Sequence, residues 1–176
     1  PYTTLFRSIL EFSQPGGQLL GLDADHEAII VSKNRLERFK NSSFLVNSYF
    51  SKVSDIAHEL NFVPVHGALL DLGLSSLQLD FEERGFSFSD NNILDMRFGL
   101  NNNLTAKRIV NEYSEIEISD IIYKFSQDPN SRVIAKAIIK SRPFNNSKEL
   151  ADLISSVKLK VKRKHHPATL TFQALR

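Results

Sequence analysis

The chain has 176 residues, of which 41% are hydrophobic, and its formal net charge at pH 7 is +2. This length and apolar fraction allow one ordinary domain with a small second lobe, and they exclude wholesale disorder. The absence of cysteine excludes a disulfide framework, a cysteine nucleophile and a thiolate zinc site. The apolar runs are too short for a membrane-spanning helix, and no secretory leader is visible. Because the lack of cysteine fits a reducing compartment, we expect a cytoplasmic protein.

The charge is divided unevenly along the chain. Residues 1–99 carry 8 Lys and Arg against 13 Asp and Glu, whereas residues 100–176 carry 14 against 7. Such an asymmetry is typical of a protein whose basic part binds a polyanion. The alternative is two solvated surfaces that differ only in charge, and the charge count alone does not decide between them.

The first region, about 17–98, alternates strand and helix signals. Short apolar runs predict strands at 18–23, 44–46 and 67–72, the last continuous as in a parallel strand covered on both faces. Helical spacing predicts a helix over 25–40 and a second one that Ser51 caps. This alternation favours an open α/β sheet.

The second region, about 99–165, shows helical signals. A short helix is predicted around 104–110, and the capping box Ser114–Glu117 predicts the start of the next. Apolar spacing predicts a third helix that ends before Pro143 and a fourth that Ser147 caps. The tail, 167–176, has the spacing of a further helix start.

Two acids follow predicted strands. In nucleotide-binding α/β folds, an acid at the carboxyl end of a strand accepts hydrogen bonds from ribose hydroxyls, and Asp23 has this position. No glycine precedes it within residues 1–8, so a solvated acid near a helix is the favoured alternative on periodicity alone. Asp71 ends the third predicted strand, where a site residue and a structural cap are equally compatible with the pattern.

The loop that begins at Asp71 is long, aperiodic and rich in phenylalanine and charge up to Phe88. Loops of this length in compact domains are usually functional. For the rings of Phe86 and Phe88 themselves, packing of the loop against the core is the favoured interpretation.

A basic cluster, Lys158–His166, contains five cations and two histidines in nine residues. It can follow a nucleic-acid backbone, or it can be the solvated end of a helix. The adjacent His165 and His166 have no third ligand at metal-binding spacing, so we predict no metal site.

Two blocks of sequence resemble the RsmH (MraW) family. The first is Leu-Asp-Leu-Gly-Leu-Ser-Ser-Leu-Gln-Leu-Asp at 70–80, continued at 83–88 and 94–97. The second is His-Pro-Ala-Thr-Leu-Thr-Phe-Gln-Ala-Leu-Arg at 166–176. With shorter matches at 21–25 and 120–123, the resemblance covers about residues 9–176. Members of this family use S-adenosylmethionine to methylate the exocyclic N4 of a cytosine in small-subunit (16S-type) ribosomal RNA.

The resemblance implies an α/β fold, a partial Rossmann-like methyltransferase sheet with an inserted all-helical domain. Residues 1–98 would form the first part of the methyltransferase domain and 99–165 the helical insert. Residues 166–176 would return into the methyltransferase domain. The expected partners are ribosomal RNA and the small ribosomal subunit, and we expect no binding to a membrane.

The resemblance also assigns site residues by position. Asp23 would bind the ribose of S-adenosylmethionine, Phe50 would line the adenine slot, and Asp71 and Gln78 would also contact the cofactor. Asp71 is in addition the candidate catalytic residue, as the hydrogen-bond acceptor beside the target amine. A backbone carbonyl of the loop is the alternative acceptor.

The chain departs from the family pattern at several positions. Ser8–Leu10 matches the tail of the family's Gly-x-Gly-Gly-His-Ser cofactor loop, but Thr3–Arg7 has neither its glycines nor its histidine. Leu170 replaces a common arginine, and the family continues beyond Arg176. We therefore expect a methyltransferase fragment that binds S-adenosylmethionine weakly or not at all.

Two other functions compete with methyl transfer. A non-catalytic RNA-binding fragment with a defective cofactor site is the alternative. A nicotinamide-dependent oxidoreductase is disfavoured because no Gly-x-Gly-x-x-Gly occurs.

Overall fold

Two compact units make up the chain, Pro1–Ser76 and Leu77–Arg176. The computed structural model describes residues 2–73, 84–88, 91–99, 103–158 and 165–176. Within those ranges, none of the helices combines the length and the apolar character that a bilayer crossing requires. The predicted domain limits after residues 98 and 165 stay predictions.

The first unit has α/β content. Its helices and strands are α1 (Tyr2–Phe12), β1 (Leu19–Asp23), α2 (His26–Arg35), β2 (Ser43–Asn47) and α3 (Val53–Glu59). Short 3₁₀ turns at Glu37–Phe39 and Phe50–Lys52 follow α2 and β2.

A two-stranded parallel sheet lies at the centre of this unit. Its register aligns Leu19 with Ser43 and Asp23 with Asn47. The core cluster consists of Leu10, Leu19 and Leu36, with Phe6, Ile9, Phe39 and Leu45 packed against it. Gly21 permits this packing, because a Cβ there would lie 2.8 Å from the Leu45 side chain and 3.0 Å from the Phe6 ring.

The first two strand predictions are confirmed by β1 and β2, while the helix predicted over 25–40 ends at Arg35 and continues as a 3₁₀ turn. Ser51 does not cap α3, because it lies within the second 3₁₀ turn and Lys52 has the cap position. Helix α1 was not predicted.

The third predicted strand, 67–72, is wrong. Its residues adopt no regular structure, and Leu69, Leu70 and Leu72 are 60%, 69% and 64% exposed. A strand needs backbone hydrogen bonds to a neighbour, and a continuous apolar strand also needs cover on both faces. Within the described part of the chain, this segment has no paired strand, so its apolar sequence does not produce one.

The second unit is mainly helical where it is described. Its helices are α4 (Ala106–Glu112), α5 (Glu115–Ser126), α6 (Ser131–Ser141), α7 (Ser147–Val157) and α8 (Thr169–Leu175). All five confirm the helical spacing seen in the sequence, and the capping box of Ser114 and Glu117 is formed. Helix α7 begins at Ser147, but Asn146 caps it by accepting a hydrogen bond from the Glu149 amide.

The core of the second unit lies between these helices. Helix α5 packs against α6 and α8, and α6 also packs against α4 and α7. The largest fully buried helical side chains are Ile118, Ile122, Ile134, Ile138, Leu150, Ile154 and Phe172. Each such side chain stabilises the fold by about 1.5–3 kcal/mol relative to an exposed one.

Two phenylalanines of the long loop, Phe86 and Phe88, also pack into this core. Phe86 is 1% exposed. Phe88 stacks on the His166 ring at 4.6 Å and meets Phe172 edge-on at 4.9 Å. The packing interpretation of both rings is thereby confirmed.

Candidate functional site

The carboxyl edge of the two-stranded sheet is held together by the residues that end the strands. Asp23 ends β1 and Asn47 ends β2, and the two are aligned in the parallel register. The Asn47 side-chain amide donates to the backbone carbonyls of Asp23 and Ala24, each at 3.0 Å. The Ser48 amide donates to the Asp23 carbonyl at 2.9 Å. These bonds fix the backbone where an α/β sheet binds its ligands.

The Asp23 carboxylate lies half-buried at this edge. Its Oδ1 accepts a hydrogen bond from the Asp25 amide at 2.8 Å, which fixes the direction of the carboxyl group. Asp25 itself is 3% exposed and caps α2, since its Oδ1 accepts from the Glu27 amide at 3.1 Å. The two acids therefore differ in role: Asp25 is a helix cap, and Asp23 is an oriented acceptor suited to hydroxyl donors.

Aromatic rings follow directly after β2. Phe50 begins the 3₁₀ turn and is 59% exposed, and Tyr49 before it is 40% exposed. Exposed aromatic faces stack readily on planar rings, and purines are such rings. Phe50 follows the last residue of β2 by three positions, and β2 ends at the same edge of the sheet as Asp23.

Asp71 does not lie at the end of a strand, contrary to its predicted position. It is an exposed residue of the irregular segment 67–73. Gln78, the fourth predicted site residue, lies outside the described residues. Of the predicted set, Asp23 ends β1, Phe50 follows the end of β2 by three residues, and Asp71 is exposed to solvent.

Asn47 is a residue of this edge that the sequence analysis missed. The signal was present, since a short amide side chain directly follows the apolar strand run Phe44–Val46. Its contacts to the Asp23 and Ala24 carbonyls require the tertiary pairing of β1 with β2.

A shallow depression lies at the other end of the sheet. Glu11, Gln14, Arg38 and Phe39 line it, and all four lie in the segments that precede β1 or β2. Ligands of open parallel sheets bind at the carboxyl ends of strands, so this depression does not match a cofactor site.

A compact turn in the second unit is formed by part of the first family-like block. Gly85 has a φ of +75°, and a Cβ there would lie 2.2 Å from the Ile93 carbonyl oxygen. The Met96 amide donates to the Arg84 carbonyl at 2.8 Å. The Arg84 guanidinium donates to the Arg97 carbonyl at 3.0 Å. Glycine is therefore required at this position by both conformation and space.

Asp95 and Arg97 form a bidentate ion pair within this turn. Asp95 Oδ1 accepts from the Arg97 amide at 3.0 Å and from Nε at 2.7 Å, and Oδ2 accepts from Nη2 at 2.7 Å. Burial favours the neutral acid, but the hydrogen bonds from Arg97 prevail and lower the pKa of Asp95. The carbonyls of Asp95 and Leu94 accept from the first amides of α4, at 2.9 and 2.6 Å. This pair organises the turn and the start of α4.

The basic cluster begins with a buried residue. Lys158 is 4% exposed, and its Nζ lies 2.5 Å from Asp128 Oδ2 and 2.5 Å from the Pro167 carbonyl oxygen. For Lys158, the predictions of a phosphate contact and of a solvated helix end are both wrong, because its charge is neutralised inside the unit. Residues 159–164 of the cluster lie outside the described residues.

Comparison with known proteins gives a consistent match. The sequence model of the MraW methylase family matches residues 6–176. A Dehalococcoides mccartyi (strain BAV1) protein named Ribosomal RNA small subunit methyltransferase H is 49% identical over 172 residues, 96% of this chain and 48% of the relative. Proteins of the same name from Mycoplasma capricolum and Caldicellulosiruptor saccharolyticus are 43% and 41% identical, over 96% and 97% of this chain and 55% and 56% of their own length. The chain spans about half the length of the curated relatives it matches.

Proposed function

The chain belongs to the MraW methylase family, and from that premise we propose that its residues serve the transfer of a methyl group from S-adenosylmethionine to small-subunit ribosomal RNA. The acceptor in this proposal is the exocyclic N4 of a cytosine. The observation that carries the proposal is a match over nearly the whole chain to proteins named Ribosomal RNA small subunit methyltransferase H. Because the proposed substrate belongs to the ribosome, we expect a cytoplasmic location.

The carboxyl edge of the sheet fits the proposed cofactor. Asp23 presents an oriented, half-buried carboxylate that can accept hydrogen bonds from ribose hydroxyls. Phe50 offers an exposed ring on which an adenine can stack. When bound, S-adenosylmethionine supplies an activated methyl group. The residues of this chain orient it, and Gln78 is proposed as a further contact.

The target amine is a poor nucleophile because its lone pair is delocalised into the cytosine ring. A carboxylate that accepts a hydrogen bond from the amine helps to localise this pair and can receive the proton that leaves as the nitrogen–carbon bond forms. Asp71 is proposed for this role. Holding the amine in line with the methyl group supplies much of the remaining rate. The base must leave any stack to reach the donor.

The proposed organisation divides the chain at 98 and 165. Residues 1–98 would contribute part of a Rossmann-like sheet, 99–165 an inserted helical domain and 166–176 the return into the first domain. The parallel pairing of β1 with β2 supports an α/β first part, and the run of helices from α4 to α7 supports a helical segment within 99–165. Phosphate contacts are proposed for the cations between Lys160 and Lys164.

A chimera tests the proposed function. The part of the Dehalococcoides mccartyi relative that aligns with this chain is exchanged for this chain, and transfer of labelled methyl from S-adenosylmethionine to small ribosomal subunits that lack the modification is measured. We expect transfer to one cytosine N4, located by mass spectrometry of RNA digests. The unchanged relative is the positive control. A chimera that melts cooperatively but transfers nothing, beside an active control, contradicts the proposal.

A further inference from the structure

Three cations form a stripe along one face of α6. Arg132, Lys136 and Lys140 are spaced four residues apart, and all three are exposed. At 1.5 Å per residue, the stripe extends for roughly 12 Å along the helix axis. The opposite face holds the buried side chains of Ile134 and Ile138, so the core fixes the direction in which the stripe faces.

This arrangement opposes the stability of the helix. Like charges four residues apart repel each other on a helix surface, and the stripe contains two such pairs. Helix α6 has no acidic residue. Its neighbours follow the opposite rule: Arg108 pairs with Glu112 on α4 at 2.9 Å, and Lys148 pairs with Asp152 on α7 at 2.8 Å. An unfavourable pattern on one helix among favourable ones indicates a role outside folding.

Two exposed carboxylates of α5, Glu115 and Asp120, form no ion pair in the part of the chain that the structure describes, and other carboxylates of the helices packed against α6 are bound by residues of or beside their own helices. Glu117 on α5 accepts hydrogen bonds from Ser114 in the capping box, and Glu149 on α7 accepts from the Asn145 amide and the Asn146 side chain. Among the described residues, no carboxylate forms an ion pair with a cation of the stripe. Within the described ranges, the three exposed cations of the stripe are therefore not held in ion pairs.

We infer that the stripe of Arg132, Lys136 and Lys140 is a docking surface for the phosphate backbone of RNA. The inference rests on the proposed function and adds a surface to it. Evenly spaced cations on a rigid helix complement a chain of evenly spaced phosphates, and such contacts provide affinity and orientation without reading the sequence. A membrane surface fits less well, because the apolar face of α6 is buried in the core and cannot enter lipid.

Salt dependence of RNA binding tests the inference. The variant Arg132→Gln/Lys136→Gln/Lys140→Gln is compared with the unsubstituted chain, using a labelled single-stranded RNA and fluorescence anisotropy at several salt concentrations. Three lost phosphate contacts lower the slope of log affinity against log salt by about 2 in magnitude. The ratio of the RNA affinity of the unsubstituted chain to that of the variant should therefore fall about 20-fold between about 50 and about 200 mM salt. An RNA of unrelated sequence should give the same slope.

A control with the same change in net charge removes three exposed cations from the first unit, with Arg7→Gln, Lys33→Gln and Lys40→Gln; Arg7 and Lys40 lie beside Glu11 and Glu37, and such exposed pairs contribute little to stability. The control has the same net charge as the stripe variant and should keep the slope of the unsubstituted chain. An equal loss of slope in both variants reduces the effect to net charge and overturns the inference. An unchanged slope in the stripe variant, or no RNA binding by the unsubstituted chain, overturns it as well.

Thermal unfolding separates binding from folding. Removal of two like-charge pairs should leave the unfolding midpoint of the stripe variant unchanged or raise it. A clear fall in the midpoint assigns the cations to folding and overturns the inference. If the stripe variant keeps the salt slope of the unsubstituted chain while the chimera still transfers methyl groups, only the docking surface is refuted. If the stripe variant shows the expected lower slope and the chimera is inactive, only the proposed reaction is refuted.

Discussion

Lys158 and Asp128 form an ion pair that is almost completely withdrawn from solvent, with side chains 1% and 0% exposed and Nζ 2.5 Å from Oδ2. Lys158 also donates to the Pro167 carbonyl, and Asp128 Oδ1 accepts from the amide and the side chain of Asn130. The pair joins the turn between α5 and α6 to the end of α7 and the approach to α8. Buried charges are costly unless each has its partner, so these elements depend on one another.

Substitution of Asp128 by Asn should strongly destabilise the chain. It leaves the Lys158 ammonium buried without a counter-charge, at a cost of about 3–5 kcal/mol in the free energy of unfolding. Urea unfolding followed by circular dichroism measures this change. Addition of Lys158→Met should recover most of the loss, because Met removes the charge while Asn keeps the contacts to Asn130.

The exposed pair Lys148–Asp152, with a similar distance of 2.8 Å, provides the control. Asp152→Asn should change the free energy of unfolding by less than about 0.5 kcal/mol, since helix pairs in solvent contribute little. Equal costs for Asp128→Asn and Asp152→Asn would refute the assignment of a buried, essential pair.

Stability should also fall in acid because of the same carboxylate. Burial alone would raise the pKa of Asp128, but the hydrogen bonds from Lys158 and Asn130 prevail and lower it. The unfolded chain, with an Asp pKa of about 3.9, then binds a proton more readily than the folded chain. The contribution is complete well above pH 3.9 and disappears as the pH falls through this value towards the folded pKa. Asp95, whose pKa is lowered by Arg97, acts in the same direction.

Urea unfolding between neutral pH and about pH 3 measures this dependence. The double variant Asp128→Asn/Lys158→Met should lose less stability on acidification than the unsubstituted chain. Parallel curves for the two proteins would show that Asp128 titrates alike in the folded and unfolded states.

Periodicity in the sequence was sufficient for the elements that bury one face against a neighbour. β1, β2 and the helices α4 to α8 were predicted because their apolar spacing is local information. The segment 67–72 shows the limit of this reasoning. Its apolar content indicates burial, but whether a strand forms depends on a partner, and the described residues provide none.

Long-range pairing explains what the sequence did not predict at the candidate site and in the basic cluster. From the sequence, Lys158 is indistinguishable from the other cations of its cluster. Its partner Asp128 lies thirty positions away in the chain, and only the fold brings the two together. Asn47 likewise acquires its contacts only when β2 lies beside β1. Asp23 was placed at a strand end from its neighbours alone, whereas its ribose role came from the family resemblance.

Substitutions at the sheet edge should weaken cofactor binding in the chimera. Asp23→Asn removes a charged acceptor, and the dissociation constant for S-adenosylmethionine should rise about 10- to 100-fold, since hydrogen bonds to charged groups contribute about 1.5–3 kcal/mol. Phe50→Ala removes a stacking face and should raise it about tenfold. Titration calorimetry measures both constants.

Asp55→Asn, which changes an exposed acid of α3 that pairs with Lys52, is the control and should leave the constant unchanged. Unaltered binding in Asp23→Asn or in Phe50→Ala removes that residue from the proposed cofactor site.

The last prediction concerns Asp71 as the acceptor for the target amine. Because Asp71 is exposed in an irregular segment, Asp71→Asn should alter the free energy of unfolding by no more than about 0.5 kcal/mol. In the chimera, loss of the acceptor should lower kcat on the order of 10²-fold or more, while the KM for S-adenosylmethionine changes little. A raised KM with nearly intact kcat would instead assign Asp71 to cofactor binding. Intact kcat and KM would exclude it from both roles and favour a backbone carbonyl of the loop as the acceptor.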